Sequence, residues 1–189
     1  MEEREKIVKR IVEEKGESAI PILIELLFDN DPQTAEIASD ALIELDSCDQ
    51  LVKRLDKEIR SAERTLGIFY IADIIGEKKC KGAFENLKKL LDFVQDEREA
   101  LIIHGALLKF GFKESEKYLL YELENDPYME ELVMDVAIEL SSSNNPEVIK
   151  ALSKKAEEHP ELVDVIQIMC EREPSLFELL PENIREKIE

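Results

Sequence analysis

Five times along the chain an apolar stripe recurs at the i, i+3, i+4, i+7 spacing of a helix face, and each stripe closes one residue before Asp46, Gly76, Gly111, Ser141 or Glu171. The stripes are Ala38/Ala41/Leu42/Leu45, Ile68/Ile71/Ala72/Ile75, Ile103/Ala106/Leu107/Phe110, Val133/Val136/Ala137/Leu140 and Val163/Ile166/Gln167/Cys170. Their closing positions are spaced by 30, 35, 30 and 30 residues, too long for one helix and suited to a recurring two-helix unit. A hairpin of this kind buries its apolar face only by stacking on its neighbours, so the core becomes a ribbon between successive units. The expected fold is all-α: an α-solenoid of about five helical hairpins, near 17–45, 48–75, 80–110, 114–140 and 146–170, forming a single domain over residues 1–189.

Sequence identity supports the period. Asn30-Asp31-Pro32 and Asn125-Asp126-Pro127 lie 95 residues apart, and the same distance separates Asp40-Ala41-Leu42-Ile43-Glu44-Leu45 from Asp135-Val136-Ala137-Ile138-Glu139-Leu140. In each triplet the proline presets φ for a first helical turn and the aspartate before it can cap free N–H groups, so the triplet closes one helix and opens the next. The first helices carry rows of their own, such as Leu23/Leu26/Leu27, Leu51/Leu55/Ile59 and Val148/Leu152/Ala156. Residues 2–15, with Ile7, Val8, Ile11 and Val12 on one face, are expected to cap the first repeat. The segment from Pro174, with Leu176, Leu179, Leu180, Ile184 and Ile188 and a break at Pro181, is expected to cap the last. The longer period, which closes the third stripe, is assigned to turns around Lys78–Gly82 and residues 92–96. The most polar loop, Ser141-Ser142-Ser143-Asn144-Asn145-Pro146, is the expected flexible point.

Against 25 Lys and Arg stand 44 Asp and Glu, a formal charge of -19, so most of the surface would repel a nucleic-acid backbone. Charged residues make up 37% of the chain and Trp is absent, a balance expected of a thermophilic source. No apolar run is long enough to cross a bilayer and the first residues are acidic and helical, which points to a cytoplasmic protein. The three cysteines, Cys48, Cys80 and Cys170, form no Cys-x-x-Cys pair, and their odd number favours reduced thiols. Cys170 falls on a core stripe; Cys48 and Cys80 sit at hairpin corners.

The Asn-Asp-Pro turn, second helices ending in Ala-Leu-Ile-Glu-Leu, Ala-Leu-Leu-Lys-Phe-Gly or Ile-Ala-Asp-Ile-Ile-Gly, and the period near 30 together resemble HEAT repeats, in particular the short HEAT-like repeats of phycobilisome lyases. The similarity covers about residues 17 to 171. It implies a right-handed superhelix whose second helices line a concave side used for protein docking. The polar ladder usual in that family is only patchily kept: Arg64 and Arg98 stand where arginine is expected, whereas Thr34, Met129 and Glu161 stand nearby in the other units.

Enzymatic chemistry finds little support. Iron hydroxylases of similar architecture bind metal through several His-Glu pairs, but His104 is followed by Gly105 and His159 by Pro160. Repeat-built DNA glycosylases need a cationic groove, and a Gly-rich phosphate loop or a nucleophile with a readable base is lacking. The expectation is a non-enzyme with no cofactor and no metal.

If the stripes are buried, the positions six and two residues before each closing residue point outward on the second helices. They read Asp40/Glu44, Tyr70/Ile74, Gly105/Lys109, Asp135/Glu139 and Val165/Met169, with Arg98 and Tyr128 earlier on the same face. Tyr70, Ile74, Arg98, Lys109 and Tyr128 would then form the middle of a concavity bounded by Asp40, Glu44, Asp135 and Glu139. Aromatic anchors framed by acids suit a docking site for a basic protein segment. The ordinary alternatives are that Tyr70 and Ile74 pack against the adjacent repeat and that His104 is a satisfied polar residue at a helix interface. Gly67 and Gly105, inside predicted helices, are read as close-packing points. The resulting expectation is a noncatalytic scaffold or adaptor. The alternative is an accessory subunit or a chaperone- or lyase-like factor acting on another protein. Self-association through an unfilled end of the ribbon is a third reading.

Overall fold

The computed structural model describes residues 2–61, 65–125 and 132–188. Among them every regular element is helical: α1 (Glu2–Lys15), α2 (Ile20–Leu26), α3 (Pro32–Glu44), α4 (Cys48–Arg60), α5 (Gly67–Lys78), α6 (Phe84–Leu90), α7 (Glu97–Lys109), α8 (Lys113–Asn125), α9 (Val133–Leu140), α10 (Pro146–Lys155), α11 (Leu162–Arg172) and α12 (Glu182–Ile188). Short 3-10 turns occupy Gly16–Ala19, Leu91–Phe93 and Pro174–Leu179.

Local chemistry sets the helix starts. Asp31 caps α3, its carboxylate accepting from the Gln33 N–H at 3.2 Å, with Pro32 preset for the first turn. Asn145, Pro146 and Glu147 repeat the arrangement at α10, where the cap distance is 3.0 Å. At α7 Asp96 accepts from the Glu99 N–H at 2.9 Å while the Glu99 carboxylate accepts from the Gln95 N–H at 2.8 Å, two free donors satisfied reciprocally. Asp126 and Pro127 of the second Asn-Asp-Pro turn lie outside the described residues, as do Arg64, Tyr128 and Met129.

The chain gathers into two compact units, Met1–Phe110 and Gly111–Glu189. In the first, α2 packs on α3, α4 on α5 and α6 on α7, while α3, α5 and α7 pack in succession and α1 covers α3. In the second, α8 packs on α9 and α10 on α11, α8 meets α10, α9 meets α11, and α12 closes against α11. The stripe residues fill these seams: Ala38, Leu42, Ile71, Ala72, Ile75, Ile103, Ala106 and Leu107 are buried in the first unit, and Val136, Ala137, Leu140 and Ile166 in the second. In the terminal segments Val8, Leu176, Leu180 and Ile184 are buried, whereas Ile7 and Leu179, expected on the same covered faces, are exposed.

Two expectations are corrected. Cys48 and Cys80 form a disulfide with Cα atoms 5.2 Å apart, whereas Cys170 is a free, buried thiol. The pairing is possible because the corner before α4 and the corner after α5 meet, although 32 residues separate them. The serine-rich loop is pinned. Ser143 is buried and its hydroxyl donates to the Glu116 carboxylate, whose other oxygen accepts from Asn145 Nδ2 at 2.6 Å. Arg172 Nη2 donates to the Ser143 carbonyl at 2.9 Å and to Asn144 Oδ1 at 3.0 Å.

Candidate functional site

The side chains that tie distant segments together share one property. The long-range side-chain hydrogen bonds made by Arg4, Arg54, Lys78, Glu116 and Arg172 each span between 27 and 35 residues. That is one repeat. Arg54 of α4 donates to Glu25 of α2 and, at 2.6 Å, to Glu58, while its guanidinium lies 4.2 Å above the Phe28 ring. Gly67 also stands against that ring, where a Cβ would come within 2.4 Å of Phe28. Lys78 reaches from the end of α5 to the carbonyls of Ile43 and Leu45, at 2.5 and 2.8 Å, and so satisfies acceptors left free at the end of α3.

An edge stays open on α3, α9 and α11, though not the edge expected. Of the anticipated docking residues in the first unit, Asp40, Glu44 and Arg98 are exposed and Tyr70 is half-buried. Ile74 is 0% exposed and belongs to the core, because α5 is packed on by α3, α4 and α7 and keeps only a narrow free edge. Lys109 is not a free anchor: its side chain is 10% exposed and its ammonium sits 2.7 Å from Glu77 and 3.6 Å from Asp73. In the second unit Asp135 is exposed and Glu139 is half-buried. Gly105, Val165 and Met169, expected on the same outward row, are buried.

The open edge runs one residue earlier, three before each closing position. There stand Ile43, Asp73 and Leu108 in the first unit and Ile138 and Ile168 in the second; Leu108 is buried, but all three isoleucines are exposed. A sequence signal for this row existed. The repeated Asp-x-x-Ile-Glu-Leu of residues 40–45 and 135–140 contains an isoleucine that the buried stripes do not need.

The titratable groups reflect packing. Burial raises the Asp73 carboxyl above the ordinary aspartate range, with Lys109 acting in the opposite sense. Burial, and then the nearby Glu36 charge, raises the Tyr70 phenol. His104, half-buried on α7, is pushed down to about 4 by burial and is neutral at physiological pH. The arrangement can hold a polar or charged partner at the surface; a nucleophile beside a general base is not among its described features. Among the described residues no group of three or more His, Cys, Asp or Glu is placed to hold a metal ion, and no helix is long and apolar enough to cross a membrane. Compared with protein-family models, with curated proteins and with solved structures, the chain matches none significantly.

Proposed function

We propose that this protein is a noncatalytic scaffold or adaptor, a right-handed α-solenoid of about five HEAT-like hairpins that binds a basic protein segment along its second helices. One observation carries the reading: within each unit side-chain ties step from one repeat to the next, with Asp40, Ile43 and Glu44 turned to solvent in the first unit and Asp135, Ile138 and Ile168 in the second. Each of these two edges offers apolar area and negative potential, which favours a cationic protein and disfavours nucleic acid. A cytoplasmic location alongside the Cys48–Cys80 bond accords with a thermophilic source, where intracellular disulfides are common.

The test is affinity capture from a lysate of the source organism with the native chain and with an Asp40→Lys/Glu44→Lys/Asp135→Lys variant. The expected result is a discrete set of basic proteins that elute with salt and are lost from the variant. Identical captures by both chains would refute the reading.

A further inference from the structure

We propose that the partner of this scaffold docks as a basic amphipathic helix across α9 and α11, with Ile138 and Ile168 as its apolar contacts and Asp135 and Asp164 as its charge contacts. The inference rests on the reading above and gives that surface a place and its ligand a shape. Ile138 is 53% exposed and Ile168 58%, they occupy equivalent positions one repeat apart, and the helices that carry them pack together. Half-exposed Met134 lies one turn before Ile138. Helices in contact have axes about 8–10 Å apart. An i to i+7 step along a partner helix is about 10.5 Å, so two apolar side chains at that spacing would meet both isoleucines at once.

Charge selects the occupant. Asp135 and Asp164 are exposed one turn or so before the two isoleucines and make no ion pair among the described residues. The cation these helices carry, Arg172, is turned to the Ser143 carbonyl and Asn144. The equivalent edge of the first unit is different. There Asp73 interrupts the apolar row and Lys109 supplies a positive charge from within the chain, between Asp73 and Glu77. On the α9–α11 edge a partner's lysine or arginine would play the part that Lys109 plays on α5. A second copy of this chain would bring like charge to like charge, which disfavours self-pairing through this face.

The experiment uses the full chain and an 18-residue helical peptide of leucine and lysine patterned with a 3.6-residue period, against a scrambled peptide of the same composition and a glutamate-for-lysine version. Binding is followed by fluorescence anisotropy at two salt concentrations. The patterned peptide is expected to bind at least about tenfold more tightly than either control, and Ile138→Ser/Ile168→Ser to weaken it by about tenfold or more. Asp135→Asn/Asp164→Asn is expected to reduce the salt dependence. All replaced side chains are exposed, so unaltered circular dichroism melts accompany these losses. Equal binding of the scrambled peptide, absence of binding, or a dimer in sedimentation velocity that Ile138→Ser/Ile168→Ser dissolves would each overturn the proposal. Binding lost on Ile43→Ser but kept in Ile138→Ser/Ile168→Ser would overturn this location and leave the scaffold reading standing. That reading fails separately, through unchanged lysate capture by the charge-reversed chain.

Discussion

Gly76 of α5 lies so close to α7 that a Cβ built on it would stand 2.6 Å from the Ala106 Cα. The neighbouring atom is backbone, so one helix would have to move. Gly76→Ala should gain about 1 kcal/mol of helix propensity and lose about 1–3 kcal/mol to overpacking, for a net loss of stability. Urea unfolding of the two chains checks this; an alanine variant as stable as the parent would show that α5 and α7 separate easily.

Arg54 combines a ring stack with two carboxylates, and its side chain is only 15% exposed. Replacing it by Met keeps the apolar stem and removes the charge. The loss should be about 1–2 kcal/mol, most of it from the stack on Phe28 and from Glu58, which is also largely covered. Because the Arg54 hydrogen bond holds the Glu25 carboxyl below its ordinary range, that part of the loss is present above the ordinary glutamate value and fades as pH falls through the lowered one. Stability curves for Arg54→Met and the parent at neutral and at strongly acid pH read this directly.

The Cys48–Cys80 bond closes a 32-residue separation, for which chain entropy predicts a stabilisation of roughly 3–4 kcal/mol. Intact mass under non-reducing conditions should be lower by two hydrogens, and the purified chain should lose stability on reduction. Cys48→Ser/Cys80→Ser should be insensitive to reductant, leaving Cys170, whose thiol burial raises, as the slow-reacting sulfur.

His104 has an ordinary unfolded value near 6.5 and a folded value of about 4. Between those values the unfolded chain binds a proton that the folded chain does not, so stability from this group is present above about 6.5 and declines as pH falls toward about 4. The expected outcome is that His104→Gln shows a shallower loss of stability than the parent between pH 7 and pH 4.5. Parallel slopes would mean that the imidazole is protonated in the fold.

The buried half of this architecture was legible in the sequence, and its free edge was not. One stripe per repeat puts Leu42, Ile71, Ile103, Val136 and Ile166 inside, and they are buried. The same reasoning puts Ile74, Val165 and Met169 outside, but they are buried, since a helix packed on several sides hides more than one stripe. Periodicity locates the centre of the covered arc and leaves its width open, because the width depends on neighbours that the pattern does not name. The cysteine pair had a usable signal: both residues stand at corners, and their 32-residue separation is one repeat, the distance at which the other long ties recur.

The short reach of those ties bears on how the protein is made. At a synthesis rate of about 5–20 residues per second, roughly thirty residues emerge in about 2–6 s. Arg54 therefore finds Glu25 already waiting, Lys78 finds the end of α3, and Arg172 finds Ser143, each within seconds of leaving the ribosome. None of these ties waits for the far terminus, so a nascent chain can seal each such hairpin soon after it emerges and has correspondingly little time in which to aggregate.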